Sequence, residues 1–135
     1  MTAMADSCVL LDVFTEDPAW FDWSSAALAR QADEGAIVIN PVIYAEVSVR
    51  FARIEELESL LSPDVFEYRP IPREAAFLAA KCFLRYRRRG GGKATVLPDF
   101  LIGAHAAVEK LPLITRDVAR FRTYYPSVEL ICPGA

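Results

Sequence analysis

The chain has 135 residues, 53% of them hydrophobic and 24% charged, which suits a folded domain and excludes a disordered chain. Fifteen basic and eighteen acidic residues give a formal net charge of −3, which argues against nucleic-acid binding through overall positive charge. Three widely spaced cysteines and one histidine form no CxxC pair and no cysteine/histidine zinc site. Without a signal-peptide pattern or an apolar run long enough for a bilayer, the sequence predicts a cytoplasmic protein that does not contact membranes.

Prolines before helices and glycines after them divide the chain into alternating helices and strands. Helices are predicted for five segments: residues 18–34, 41–51, 54–61, 72–88 and 98–110. Strands are predicted for four short apolar or alternating runs: residues 36–39, 65–69, 113–115 and 128–132. A short helical turn is predicted for residues 118–124. This alternation indicates one α/β domain over residues 1–135, with helices covering both faces of a mostly parallel sheet.

The N-terminal segment is ambiguous. Residues 8–14 form an apolar run that fits a first strand. The strand is equally well placed at residues 2–6, with a helical turn after it. Composition alone does not choose between the two.

The position of Glu46 is not that of an ordinary surface charge. It is the only acid in its predicted helix, and its neighbours three and four residues away are largely apolar. A carboxylate in such surroundings needs a proton, a metal ion or a basic partner. An ion pair with Arg50 or Arg53 is the structural alternative.

Three further acids lie at the ends of predicted elements. Asp6 precedes an apolar run, Asp99 lies in the first turn of an apolar helix, and Asp117 follows a strand. Each has a structural alternative, as a helix cap or as favourable charge at a helix start. Parallel topology brings such ends to one edge of a sheet, where converging carboxylates would repel unless cations lay between them. Oxygen-only ligands suit Mg²⁺ or Mn²⁺.

Four ordered segments resemble the PIN-domain nucleases, and within them the VapC toxins of bacterial and archaeal toxin–antitoxin pairs. These segments are ADSCVLLD at 5–12, NPVIYAE at 40–46, LPDFLIGAHA at 97–106 and LITRD at 113–117. The resemblance covers nearly the whole chain. It implies a three-layer sandwich of helices around a central, mostly parallel sheet, and it favours the strand at residues 2–6. It also implies metal-site roles for Asp6, Glu46, Asp99 and Asp117.

The same resemblance implies supporting roles for two hydroxyl groups. Thr115 matches the residue that orients a carboxylate or water beside the last acid, and Ser7 matches a common supporting hydroxyl. Cys8 departs from the family, which often has asparagine at this position. The departure puts a hydrogen bond to the ligand shell in doubt.

The function implied by the resemblance is an Mg²⁺- or Mn²⁺-dependent endoribonuclease that leaves a 5′-phosphate and a 3′-hydroxyl. The expected partners are RNA, a second copy of the chain in a homodimer, and a small antitoxin that presents an arginine to the carboxylates. A catalytically silent PIN module that binds RNA or protein is the alternative. A phosphotransfer enzyme on another parallel sheet is disfavoured, because Asp6 lacks the second acid of a DxDxT motif.

A basic block is the candidate RNA-binding surface, because Lys81 to Lys93 contains six cations and no acid. Its members nearest the glycines are Arg85, Arg87, Arg88, Arg89 and Lys93. The alternative is a solvated helix end, where cations are also favourable. A smaller second group consists of Arg116, Arg120 and Arg122.

Two ring side chains have both a functional and a structural interpretation. Tyr86 could stack on a base, although packing is the commoner role for such a residue. His105 lies in an apolar helix and is interpreted as a packed side chain rather than a catalytic one.

Overall fold

The computed structural model describes residues 1–92 and 97–134 of the chain. Its strands are β1 (Ala3–Ala5), β2 (Ile37–Ile39), β3 (Phe66–Tyr68), β4 (Leu113–Ile114) and β5 (Leu130–Ile131). Its helices are α1 (Ser7–Phe14), α2 (Phe21–Glu34), α3 (Pro41–Ser48), α4 (Ile54–Glu58), α5 (Arg73–Arg88), α6 (Leu97–Val108) and α7 (Ala119–Tyr124). None of the helices in these ranges is both long and apolar enough to cross a bilayer.

The five strands form one sheet in the order β3-β2-β1-β4-β5, and every neighbouring pair is parallel. β1 is the central strand, with Met4 paired to Val38 on one side and to Leu113 on the other. All three residues of β1 are fully buried, as expected for a strand covered on both faces. The predicted α/β sandwich with a central parallel sheet is confirmed.

The strand order reverses direction between β1 and β4. From β1 the chain adds β2 and β3 on one side, and it then returns to add β4 and β5 on the other. Parallel sheets open a crevice outside the carboxyl ends of their strands at such a switch point. Asp6 directly follows β1 and Thr115 directly follows β4, so both residues lie at this crevice.

Residues 2–6 contain the first strand, and the apolar run after it is helix α1. Asp6 has extended backbone angles (φ −68°, ψ 151°), and its carboxylate accepts a hydrogen bond from the Ser7 N–H. Its own N–H donates to the Ile114 carbonyl of β4 at 2.9 Å. Asp6 therefore both completes the β-ladder and begins the helix, which explains why the two apolar segments are hard to distinguish by composition.

Three predicted helix boundaries lie three residues from those of the structure, and one of them is the end of α4, at Glu58 instead of residue 61. α2 begins at Phe21, because the Asp17 carboxylate accepts the N–H groups of Ala19 and Trp20 and forms a separate turn before the helix. α3 ends at Ser48, three residues before the predicted end. There the Ser48 hydroxyl donates to the Tyr44 carbonyl, and the next N–H groups form tighter turns.

An aromatic cluster fixes the position of α6 against α5 and α7. Phe100 is fully buried, and its ring lies 5.0 Å from that of Tyr124 and 5.7 Å from that of Tyr86. Gly103 lets α6 approach closely, since a Cβ atom there would lie 2.4 Å from the Tyr125 ring. The Tyr125 hydroxyl donates to the Phe100 carbonyl at 2.8 Å. This packing holds the first turn of α6, which carries Asp99.

Candidate active site

Asp6 is a nearly dry carboxylate at the carboxyl end of the central strand, with a relative exposure of 4%. Its Oδ1 accepts from the Ser7 N–H at 2.8 Å, and its Oδ2 accepts from the Thr115 hydroxyl at 2.7 Å. Burial, together with the charges of Asp99 and Glu46, raises the pKa of Asp6 to about 6, although these two hydrogen bonds lower it. Asp6 thus lies near other negatively charged side chains.

Glu46 is brought to the same place by α3. The helix begins at Asn40, whose Oδ1 accepts from the Ile43 N–H at 2.9 Å, and Pro41 occupies the first turn. Glu46 Oε1 accepts a hydrogen bond of 2.8 Å from the Ser7 hydroxyl. Burial, followed by the charge of Asp99, raises the pKa of Glu46. Its partner is therefore a hydroxyl at the crevice rather than a basic residue of its own helix.

Asp99 extends from the first turn of α6. Its Oδ2 lies 2.6 Å from Nη1 of Arg120, a residue of α7. The Arg120 guanidinium also lies over the rings of Tyr86 and Phe100, at 5.5 and 5.8 Å from their centroids. Burial raises the pKa of Asp99 despite this ion pair, and the charge of Asp117 adds to the rise.

Thr115 and Asp117 complete the crevice from the loop after β4. The Thr115 hydroxyl, which donates to Asp6, accepts from the Asp117 N–H at 3.1 Å. The Asp117 side chain itself is exposed. Electrostatic effects join Asp6 to Glu46 and Asp99, and Asp99 to Asp117. At this edge of the sheet the charges of Glu46 and Asp99 therefore act on Asp6, that of Asp99 acts on Glu46, and that of Asp117 acts on Asp99.

The four acids do not form a ready-made metal cage. Within residues 1–92 and 97–134, no three acidic, histidine or cysteine side chains are arranged around a common metal position. Ser7, Thr115 and Arg120 engage the carboxylates instead. The donor set nonetheless has the chemistry of a hard-cation site, since it consists of carboxylate and hydroxyl oxygens, and neighbouring carboxylates contribute to the raised pKa values of Asp6, Glu46 and Asp99.

Cys8 lies where the family pattern often has asparagine. Its Sγ is 3.6 Å from Asp6 Oδ2 and 3.8 Å from Thr115 Oγ1. Burial, followed by the charge of Asp6, raises the pKa of the thiol to about 12. Cys8 is therefore a protonated thiol that supplies a weak donor to Asp6.

An ion pair behind the site was missed by the sequence reasoning. Asp12 is 2% exposed, and Arg116 binds both of its oxygens, at 2.7 and 2.8 Å. The Ser24 hydroxyl donates to the same carboxylate at 2.7 Å. Asp12 lies within an apolar run, as Glu46 does. The criterion that singled out Glu46, an acid among apolar neighbours, would therefore have identified Asp12 as well.

The basic block lies at the end of α5. The guanidinium groups of Arg85 and Arg89 lie 5.5 and 5.9 Å from the Tyr124 ring centroid, and that of Arg87 lies 5.9 Å from the Phe83 centroid. Arg88 is exposed, and Lys93 falls outside the described residues. Tyr124 also packs on Phe100, the residue next to Asp99. These aromatic side chains therefore lie between the basic end of α5 and Asp99.

Tyr86 and His105 both have structural surroundings. Gly91 packs against the Tyr86 ring so closely that a Cβ atom would lie 2.5 Å from it, and Arg120 lies over the same ring. His105 is fully buried, with its Nδ1 3.0 Å from Asn40 Nδ2. The Tyr86 ring is therefore held by packing contacts, and His105 supports the start of α3.

Comparisons with known proteins match this architecture. The family model of the PIN domain matches residues 3–125. No curated protein matches the chain. The structure is similar to VapBC2 of Rickettsia felis bound to a promoter DNA fragment, with a TM-score of 0.75, 19% identity, and coverage of 99% of this chain and 100% of that one.

Two further solved structures are similar. A toxin–antitoxin complex from Klebsiella pneumoniae gives a TM-score of 0.67 at 24% identity, covering 93% of this chain and 94% of that one. FitAcB from Neisseria gonorrhoeae gives a TM-score of 0.68 at 19% identity, covering 96% of both chains. At these identities the likeness shows the fold alone.

Proposed function

The chain belongs to the PIN-domain family, and on that basis we propose that it is an Mg²⁺- or Mn²⁺-dependent endoribonuclease. The observation that carries the proposal is the meeting of Asp6, Glu46, Asp99 and Asp117 at the switch point of the sheet. Negative charge gathered in a partly buried crevice is unfavourable by itself, and a hard cation offsets it. The proposal treats residues 1–135 as one nuclease domain.

In this proposal the four acids hold the metal ion. A bound Mg²⁺ or Mn²⁺ supplies Lewis acidity toward the scissile phosphate and lowers the pKa of water at the site. Thr115 and the Ser7 N–H fix the two oxygens of Asp6, and the Ser7 hydroxyl fixes Glu46. Such hydrogen bonds orient carboxylate ligands before a cation arrives. Asp117, which is exposed, is the acid with the freest access to water.

RNA reaches the acids, in this proposal, over the basic end of α5. Arg85, Arg87, Arg88 and Arg89 provide the positive charge there, and Lys93, which lies outside the described residues, belongs to the same proposed RNA-binding set. Because the whole chain has a net charge of −3, this local patch attracts the phosphates that the acids repel.

The biological role we propose is that of the toxin in a toxin–antitoxin pair. The solved structures with a similar fold include toxin–antitoxin complexes, which supports a small antitoxin as partner. A protein arginine inserted among the four acids would neutralise them, much as Arg120 already neutralises Asp99. A homodimer and a cytoplasmic location belong to the same proposal.

One observation favours a second candidate, a PIN module without catalytic activity. Asp99 is paired with Arg120 at 2.6 Å, and the described side chains form no ready-made metal cage. A protein that keeps this pair in the presence of divalent ions would bind RNA or a protein partner without cutting.

The test is cleavage of total RNA by the purified protein with Mg²⁺, Mn²⁺ or EDTA. Asp6→Asn and Asp99→Asn remove one acid each, and Asp64→Asn, at an exposed position away from the crevice, is the matched control. We expect the control to cut like the wild type in metal, and each site variant to lose at least about 100-fold in rate. Folded, metal-saturated wild type that cuts no RNA would favour the silent module.

A further inference from the structure

An open cavity of about 430 Å³ lies between the end of α5 and helix α7. Arg89, Gly90 and Gly91 line it from the end of α5, Arg120 and Thr123 line it from α7, and Tyr86 and Tyr124 also contribute. Two arginines are therefore among the lining residues, and no acidic residue is among those that the structure describes. The charged side chains of the lining are thus all positive, although Arg120 also contacts Asp99 of the acid cluster.

We propose that this cavity binds one phosphate of the RNA backbone, next to the phosphate that is cut. The proposal rests on the proposed function and adds to it a defined subsite. It assigns Arg89 and Arg120 as the binding residues, whereas the other arginines of the basic block contribute only general charge.

Arg120 is the physical link between the cavity and the four acids. Its Nη1 is bound to Asp99 Oδ2 at 2.6 Å, while its side chain lines the cavity. A guanidinium carries five N–H donors in a planar fork, and Asp99 takes one of them. An anion bound in the cavity would therefore be one side chain, that of Arg120, away from the acid cluster. This arrangement fits two consecutive phosphates of one RNA strand.

Aromatic packing holds the cationic groups in place. The Arg120 guanidinium lies over Tyr86 and Phe100, and that of Arg89 lies over Tyr124. Restraint of this kind reduces the entropy lost when an arginine binds a phosphate. Arginines that contributed only general positive charge at a helix end would not need to be held in place by aromatic rings.

The lining suits a phosphate better than a base. Gly91 packs against the Tyr86 ring and the Arg120 guanidinium lies over the same ring, so packing contacts already engage Tyr86. Gly90 and Gly91 instead leave the chain without side chains at the cavity wall, and Gly90 has a positive φ of 90° that favours glycine. The charged groups of the lining are the two arginines, and arginine binds phosphate strongly.

The test measures binding of a single-stranded RNA oligonucleotide to protein carrying Asp6→Asn, which keeps the RNA intact. Arg89→Gln removes the cavity cation. Arg122→Gln is the matched control, because it removes the same charge from exposed α7 surface where Arg122 contacts Cys132. Fluorescence anisotropy over a range of salt concentrations gives the affinity and the slope of its logarithm against log salt.

We expect Arg89→Gln to weaken binding about tenfold and to reduce the salt slope by about 0.7, the value for one phosphate contact on a single strand. Arg89→Lys should restore the slope, since the charge returns. Arg122→Gln should change both quantities much less. In otherwise wild-type protein, Arg89→Gln should raise KM and leave kcat nearly unchanged.

Equal effects of Arg89→Gln and Arg122→Gln would overturn the subsite, because only net charge would then matter. Wild type that cleaves RNA alongside that result leaves the nuclease proposal standing. Failure of the nuclease proposal would give a different result. The wild type would then cut no RNA in Mg²⁺ or Mn²⁺, while the comparison of RNA binding by the variants would still test the cavity. Arg89 is exposed, so its variants should keep the wild-type Tm.

Discussion

Asp6 ionises at a position that water hardly reaches, and this should reduce the stability of the fold. Its pKa is raised from 3.8 to about 6, so the native state holds the proton more tightly than the unfolded chain does. The stability contributed by the protonated group is complete below pH 3.8 and is lost as the pH rises through about 6. The loss at neutral pH amounts to up to about 3 kcal/mol.

We therefore predict that Asp6→Asn stabilises the protein by about 1–3 kcal/mol in EDTA at pH 7.5, even though it removes an acid of the proposed site. Urea denaturation measures the difference. At pH 4 the gain should shrink, because the wild-type carboxyl is then protonated. Asp33→Asn, at an exposed site on α2, should have no effect at either pH. A destabilised Asp6→Asn at pH 7.5 would show that its hydrogen bonds outweigh the burial of charge.

His105 should show the opposite pH dependence. Asn40 Oδ1 accepts from the Ile43 N–H, so its Nδ2 donates to His105 Nδ1, and the ring proton is placed on Nε2. Nε2 lies 3.2 Å from Glu109 Oε2, without hydrogen-bond geometry. Burial lowers the pKa of His105 below 6.5, and Arg69 lowers it further, whereas Glu109 raises it.

A lowered histidine pKa means that the unfolded chain takes up the proton first. The stability due to neutral His105 is complete above pH 6.5 and is lost as the pH falls below it. Since His105 is the only histidine of the chain, NMR of its ring gives the pKa directly, and we expect a value below 6.5. The difference in stability between wild type and His105→Gln should shrink from pH 7.5 to pH 5. A ring that titrates above 6.5 would mean that Glu109 dominates.

At the scale of elements, the ion pair between Asp12 of α1 and Arg116 of the β4–α7 loop stabilises the side of the site opposite the RNA cavity. Arg116 lies between Thr115 and Asp117, so its two bonds to Asp12 help to fix the loop. The Arg116 guanidinium also lies 5.2 Å from the Trp20 ring centroid. The helix α1 that begins at the Asp6 cap thus also anchors the loop that delivers Thr115.

We predict that Arg116→Met costs about 3 kcal/mol, because Asp12 stays buried without its partner. Adding Asp12→Asn should recover part of the loss, and a double-mutant cycle in urea measures the coupling. The comparison pair Arg53–Glu55 has exposed side chains, 74% and 72% accessible, and Arg53→Met should change little. Additive effects of Arg116→Met and Asp12→Asn would contradict the coupling.

The order of elements could be predicted from sequence where local signals are strong. Asn40 and Pro41 mark the start of α3, and Gly35 follows α2, as the structure confirms. The first strand could not be placed by composition, since three buried residues show no periodicity and the apolar helix α1 follows at once. The pairing of β1 with strands 34 and 109 residues away, Ala3 with Ile37 and Met4 with Leu113, decides the assignment in favour of residues 2–6, as the family resemblance predicted.

The site was predictable in part for a related reason. Glu46 stood out because its local surroundings are apolar, and Asp6, Asp99 and Asp117 because they end or begin elements. The Arg120–Asp99 contact had no local signal, since the two residues are brought together by the aromatic packing of α6 and α7. Contacts of that kind depend on the assembled fold and cannot be predicted from the pattern and spacing of residues in the sequence.

At the scale of the whole molecule, a divalent cation should join separate parts of the chain. The four acids come from the end of β1, from α3, from α6 and from the loop after β4. We predict that Mg²⁺ or Mn²⁺ raises the stability of the wild type, by about 2.7 kcal/mol at a concentration one hundred times the Kd. Thermal denaturation measures the change in Tm. Asp99→Asn should reduce it strongly, and an equal rise in that variant would place the ion elsewhere.

The central position of β1 affects how the protein is made. β1 is synthesised 109 residues before its partner Leu113 in β4, and Thr115 must follow before Asp6 gains its hydroxyl partner. Nascent chains fold as their segments emerge, and distant parallel pairings form late. The acid cluster should therefore stay incomplete on the translating ribosome until the segment that carries β4 and Thr115 has emerged.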